Sequence, residues 1–287
     1  MKRFKPVCVS LSSEMSQDTR DGLVYTLARI RLTDSRVIFV ESAIVVVLSW
    51  TLAAHIFDIT NVISEPTAIG AVMYELVVTR EFLDHLVPTL RRTVYGLLVT
   101  IVIGTALGIA MGMREWVEKV FQDYVTVGLA MPGLFIAIFT AMWFGISDVT
   151  PTVAAAIISF PFLTQQVYEG VRNIDNDILQ MSSSFGVSNW RAMRRTVIPA
   201  VMPEWFAGTR YSLAIVWKTV TLTELVAASD GIGWIIRSQL ERLDFTGAMA
   251  WTMLFVVVIL TVEYGIVQQL ENRIFKWRQE VSGVMAL

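Results

Sequence analysis

Long apolar runs recur through this chain, and no other feature restricts its fold as much. A helix rises about 1.5 Å per residue, so roughly 20 apolar residues are needed to cross the hydrocarbon of a bilayer. Residues 37–57, 93–113, 124–144, 150–168, 206–228 and 247–268 each approach that length. Helices buried in soluble proteins average about 11 or 12 residues and keep a polar stripe. By contrast, residues 255–262 hold a single polar side chain, Thr261. Composition agrees: 54% of the chain is apolar and 17% charged, against about 25% charged in soluble domains. The expected fold is an all-α polytopic membrane protein with about six transmembrane helices.

Orientation follows from lysine and arginine. With the N-terminus in the cytoplasm, the inner segments carry sixteen basic residues and the outer segments five, leaving Arg210 and Lys218 inside the fifth span. Retention of positive charge inside therefore predicts that both termini are cytoplasmic. No cleavable signal peptide is expected, because the first 36 residues are polar and charged and the first apolar run is long enough to remain as an anchor. Within that cytoplasmic leader, 1–36, Leu23, Val24, Leu27 and Ile30 share one helical face and suit a helix lying on the membrane surface. A solvated tail is the alternative. The remaining organisation is a first span and extracytoplasmic segment over 37–92, a core over 93–278, and a cytoplasmic tail over 279–287.

Several chemistries are excluded early. With 25 acidic against 23 basic residues there is no global field for nucleic acid. Cys8 is the only cysteine, and His55 and His85 stand thirty positions apart, so no metal site is expected. Neither H-E-x-x-H nor G-x-S-x-G occurs, so no catalytic residue is assigned. G-x-x-x-x-G-K-[ST] is also missing, and the chain is expected to bind no cofactor and to hydrolyse no ATP by that route.

Inside the spans, Gly104, Gly108 and Gly112 recur every fourth residue, which strips one helix face for close packing; sliding during a transport cycle is the functional alternative. The fifth span carries Lys218 and Glu224. A charge at a membrane helix centre costs about 2.5 to 3.5 kcal/mol on insertion scales, so Lys218 calls for a pathway or a buried partner. Glu224 is the natural partner by charge, yet six residues place it about 240° around the helix. Two readings stay open: Lys218 gives a translocation path a positive field for a small anion, or Glu224 and helix-end carbonyls pin it. Glu224 is read as structural or gating. Arg210 lies near the start of the span and can snorkel. Met131 and Pro132 break the third span and free a carbonyl for a pore, or merely kink it. Thr219, Thr221 and Thr223 offer hydroxyls, more often spent on intrahelical bonds than on ligands.

The longest polar interruption, 169–205, reads as a helical hairpin over about 175–199. Asp175 and Asp177 suit the start of a first helix through Phe185, Gly186 suits its left-handed end, and Ser188 caps a second helix that stops before Pro199. Phe185, Val187 and Trp190 beside Arg191, Arg194 and Arg195 suggest a protein partner, with anionic lipid as the competing reading.

At these residues the chain resembles the inner-membrane permease subunit of ATP-binding-cassette (ABC) importers. The family pattern is Glu-Ala-Ala, three residues, Gly, nine residues, an apolar residue, one residue, and Leu-Pro. Gly186 and Pro199 hold the spacing, with Ile198 for the Leu; Ser188, Trp190, Ala200 and Pro203 are similar to the branch that takes up nitrate, sulfonates and taurine. Gln180, Met181 and Ser182 stand where Glu-Ala-Ala is expected, and Thr196 where the apolar residue is. The likeness continues through Ser64-Glu65-Pro66, Val72, Leu76, His85, Thr89, Arg92, Gly108 to Gly112, Pro132, Trp143-Phe144-Gly145, Phe160-Pro161, and Ala227 to Gly233 before Trp234, about two thirds of the chain.

This resemblance implies the type I ABC importer permease fold in the inner membrane and a homodimer, or a pair with a close relative. It also implies two cytoplasmic ATP-binding subunits that hold ATP and Mg, and an extracytoplasmic solute-binding protein. The coupling helix would span about Ser182 to Arg195, using Ser182, Phe185, Gly186, Val187, Ser188, Trp190 and Arg191 ahead of Pro199. The path candidates are Lys218, Glu224, Met131, Pro132 and Thr221. The expected cargo is a small anion of the nitrate, sulfonate, taurine or aromatic acid type. An ion-coupled secondary transporter and an ABC permease for a pyrimidine vitamin precursor are the alternatives. The first would use Glu224 or Lys218 in coupling, but no second repeat of six spans is evident.

Overall fold

A computed structural model of the chain describes residues 35–56, 64–174, 184, 188, 191 and 193–274. Its regular elements are all helical: α1 Ser35–Ile56, α2 Pro66–Val78, α3 Glu81–Met113, α4 Glu115–Ala130, α5 Gly133–Phe144, α6 Val149–Arg172, α7 Ile198–Ala227, α8 Ile232–Glu241, α9 Phe245–Val262 and α10 Gln268–Ile274. Two π-helical turns, Met193–Val197 and Glu263–Val267, lead into α7 and join α9 to α10. The chain forms two units, residues 1–60 and 61–287. In the first, α1 has exposed apolar side chains from Ile44 through Leu48. All further description concerns the second.

By length and composition, α3 and the rod Phe245–Ile274 are each able to cross a membrane alone. The pair α4 and α5 qualifies jointly, as does α7 with α8, but each pair is bent, by 102° and 47° respectively. The sequence predicts one crossing over 124–144. The structure divides it into α4, about 24 Å long, and α5, about 18 Å. Pro132 is the cause: it cannot donate to the preceding turn, and it forces Met131 into extended backbone at φ −74° and ψ 126°.

α3 is longer than its apolar run. It spans 33 residues, about 50 Å, and begins at Glu81 rather than near Thr93. Glu81 and Asp84 complement the positive end of the helix dipole, and Arg80, at φ 65°, turns the chain into it. Phe82, Leu86, Thr89 and Arg92 give this extension a buried face.

The same face continues as the seam with α6. A Cβ built on Gly104 would lie 2.9 Å from Leu163 Cβ; on Gly108, 2.7 Å from both Thr164 O and Val167 Cβ; on Gly112, 2.5 Å from Val171 Cβ. Gly96 extends the series against Ala155, and where the spacing places Thr100 its hydroxyl meets Ser159 Oγ at 2.5 Å. The glycines therefore serve close approach of two helices, the packing reading of their four-residue spacing. Ala155, Val216 and Val220 carry the core onward from α6 to α7.

α7 also starts earlier than expected, at Ile198 instead of near 206. A stop before Pro199 was expected; instead, the π turn runs straight into α7. Pro199 is the second residue of α7. Helix type changes between Val197 and Ile198, just ahead of Pro199.

Candidate functional site

The densest polar cluster is built on the N-terminal half of α3. Arg92 is buried, with its side chain 2% exposed, and so is Glu224 of α7, at 0%. Arg92 Nη1 donates to Glu224 Oε1 at 2.7 Å and to the Asp230 carbonyl at 3.0 Å. Its Nε donates to Asp148 Oδ1 at 3.1 Å, and its Nη2 to the carboxylates of both Asp148 and Asp230. Arg91 Nη2 reaches the other Asp148 oxygen at 2.5 Å. Asp148 stands in the turn between α5 and α6, and Asp230 in the turn between α7 and α8. Arg92 therefore ties α3 to three separate segments.

Glu224 is held by further groups as well. Gly233 N donates to Glu224 Oε2 at 3.0 Å, and Thr89 Oγ1 lies 3.0 and 2.9 Å from the two carboxylate oxygens while accepting from Ile232 N at 2.9 Å. The carboxylate thus sits at the N-terminus of α8, where free amides and the helix dipole favour negative charge. This contact needs glycine twice. Gly231 has φ +100° and a Cβ there would lie 2.6 Å from the Glu224 carboxylate; at Gly233 it would collide with the Thr221 carbonyl and with Glu224 Cβ.

The cluster has an inner and an outer half. Asp148 and Asp230 are 54% and 43% exposed, unlike the Arg92 and Glu224 side chains. The hydrogen bond from Arg92 holds the Asp148 carboxyl below the usual carboxylate range. Beside the cluster, His85 stacks on Trp234 at 5.4 Å and meets the edge of Trp251 at 5.4 Å, packing α3 against α8 and α9.

Lys218 does not join this network. It is exposed on a stripe of α7 with Tyr211 and Ala214, and it forms no ion pair among the described residues. Glu224 takes its cation from a residue 132 positions away. Thr219, Thr221 and Thr223 each donate to the carbonyl four residues earlier, at 2.9, 2.8 and 2.7 Å. Met131 and Pro132 stand exposed at the α4–α5 bend. Arg210, expected to snorkel, is paired instead: Nε donates to Glu263 Oε1 at 2.6 Å and Nη1 to Glu271 Oε2 at 2.6 Å. The π turn thus brings two carboxylates of the last rod to one arginine.

Of the hairpin, Ser182, Phe185, Gly186, Val187 and Trp190 lie outside the described residues, as do Leu23, Val24, Leu27 and Ile30 of the leader. Ser188, Arg191 and Pro199 are described and exposed. Sequence reasoning passed over Arg91, Asp148 and Asp230, and gave Thr89 and Arg92 no role. The available signal was register: Thr89, Arg92 and Gly96 continue the stripe marked by Gly104, Gly108 and Gly112.

Comparison with known proteins places this architecture. The chain is 25% identical over 199 residues to the taurine transport system permease protein TauC of Escherichia coli (strain K12), covering 69% of this chain and 72% of that one. It is 24% identical over 223 residues to the putative aliphatic sulfonates transport permease protein SsuC of Bacillus subtilis (strain 168), covering 78% and 80%. To the formylaminopyrimidine transport permease protein ThiX of Halalkalibacterium halodurans it is 23% identical over 200 residues, 69% and 79%. Among solved structures, the inward-facing MetNI methionine ABC transporter matches with a TM-score of 0.56 at 16% identity, over 67% of this chain and 94% of that one. An amino acid ABC transporter solved with histidines matches with a TM-score of 0.55 at 19% identity, over 70% and 97%. These structures share the fold of ABC importer permeases. Residues 101–276 match the model of one family, and the helical membrane protein described here belongs to the binding-protein-dependent transport system inner membrane components, the permease subunits of ABC importers.

Proposed function

We propose that the chain forms the translocation path of an ATP-driven importer for a small anion, with Lys218 as the positive group of that path. The observation that carries this reading is the placement of Lys218: about two thirds of the way along α7, exposed on the single chain, while the nearby Glu224 is committed to Arg92. A lysine there calls for a water-filled path or a partner. In a dimer of this subunit the two Lys218 groups would face a shared path, with Met131, Pro132 and Thr221 along it and Glu224 supporting its wall. The TauC and SsuC names point to sulfonates, whose anionic head such a field would favour.

Both termini are cytoplasmic in this reading. Two ATP-binding subunits hold ATP and Mg and dock on Ser182, Phe185, Gly186, Val187, Ser188, Trp190 and Arg191 ahead of Pro199. A solute-binding protein delivers cargo on the other side. The test is uptake of a labelled alkanesulfonate by the assembled transporter in proteoliposomes. Lys218→Met should abolish most ATP-dependent uptake and leave the permease dimer intact; loss of the dimer instead assigns Lys218 to assembly. The ThiX relative supports a second reading, a pyrimidine cargo. In that case Lys218→Met leaves uptake of a labelled aminopyrimidine unchanged.

A further inference from the structure

Arg92 has more work than an ion pair requires. A guanidinium carries five N–H donors in a planar fork, and a lysine ammonium three on a single point. All five on Arg92 have acceptors: Nε on Asp148, Nη1 on Glu224 and on the Asp230 carbonyl, Nη2 on Asp148 and Asp230. Those acceptors belong to the α5–α6 turn, to α7 and to the α7–α8 turn. The Glu224 carboxylate is also met by Thr89, one turn before Arg92 on α3, and by Gly233 N of α8, with no room for a Cβ at Gly231 or Gly233. The Glu224 side chain is therefore held by α3 and by α8, and any rotation of α7 about its axis would break bonds that are buried.

Lys218 rides on the same helix, six residues before Glu224. That is about 9 Å along the axis and about 240° around it. Fixing Glu224 therefore fixes where Lys218 points. We propose that Arg92 is a positioning residue for Lys218: by saturating its guanidinium on three segments it sets the rotation of α7 and presents Lys218 on the free face. This rests on the reading of Lys218 as the cation of the translocation path. It assigns to Arg92 a part in solute affinity without contact with solute.

The test uses the complete transporter, with its ATP-binding subunits and binding protein, in proteoliposomes and in a Cys8→Ser background. Single cysteines are placed on the exposed stripe by Tyr211→Cys, Ala214→Cys and Lys218→Cys, and on the buried face by Val216→Cys and Val220→Cys. A charged, membrane-impermeant thiosulfonate is the probe. With Arg92 intact, Lys218→Cys is labelled and Val220→Cys is not. Arg92→Lys, which has too few donors, should reduce labelling at 218 several-fold relative to 220. With Lys218 present, the same substitution should raise the apparent KM for alkanesulfonate more than it lowers the maximal rate. A merely structural role would reduce the yield of folded dimer and leave both the labelling contrast and KM of the remaining dimer as they were. That result overturns the proposal. If Arg92→Lys does not assemble, Arg92→Met combined with Glu224→Met removes both buried charges and is read in the same way. Failure to label Lys218→Cys with Arg92 intact removes the path reading itself and this inference with it; an unmoved label removes this inference alone.

Discussion

One stripe of α3 solves the problem of helix contact in two ways. At Gly96, Gly104, Gly108 and Gly112 it removes side chains, so that α6 approaches until a single added Cβ would crowd or overlap its neighbours. From Thr89 to Arg92 it does the reverse, projecting a large charged side chain and surrounding it with acceptors from three segments. The glycine half gains from dispersion between close backbones and has no charge to satisfy. At the charged half, every donor must be matched, because an unpartnered ion away from water costs far more than a poor apolar contact.

That contrast is sharpened most by removing one ion. Arg92→Met leaves Glu224 buried and without its cation, and breaking such a pair costs about 3–5 kcal/mol. The thermal unfolding midpoint of the detergent-solubilised protein should fall steeply, and adding Glu224→Leu should recover much of the loss. An unchanged midpoint for Arg92→Met would show that the two halves of the stripe are alike. The next effect lies on the glycine half. Gly108→Val inserts bulk against Thr164 O and Val167 and should cost about 1–3 kcal/mol by the same measurement. Gly70→Ala in α2, where a Cβ meets nothing within 4 Å, should instead stabilise by about 0.5–1 kcal/mol.

The smallest effect concerns the outer rim of the cluster. The bond from Arg92 lowers the carboxyl titration of Asp148, so its contribution is complete above the ordinary carboxylate range and is lost as pH falls through the lowered value. Asp148 is more than half exposed, so solvent screens much of this. Unfolding midpoints followed downward from neutral pH should decline less for Asp148→Asn than for the unaltered protein. Equal declines would remove Asp148 from the cluster's energetics.

The helices were legible because their signals are local. Apolar length marked α3 and the rod Phe245–Ile274, Met131-Pro132 marked the break between α4 and α5, and the four-residue glycine spacing marked the seam. Two starts were misplaced for a common reason. The first twelve residues of α3 and the first eight of α7 contain charges or prolines, and run length cannot see a helix continuing beyond the hydrocarbon. In α3 the continuation is carried instead by a buried face of Phe82, Leu86, Thr89 and Arg92. The cluster was less legible. Charge and proximity in sequence favoured Lys218 as the partner of Glu224, and only the 240° offset spoke against it. The true partner comes from a helix more than a hundred residues earlier, and pairings of that range leave no periodic trace. The importance of Ala227 to Gly233 was visible as a family-like string, but its physical reason, a carboxylate seated on the first amides of α8, requires the fold.

The seam between α3 and α6 has a mechanical consequence. Two rods packed this closely at Gly104, Gly108 and Gly112 cannot shear without driving Leu163, Val167 and Val171 into the helix opposite. They behave as one stiff beam, with Arg172 at one end and Arg92 near the other. A push delivered just beyond Arg172 would then reach the charged cluster as a tilt of the whole lever, undiminished by bending along the way.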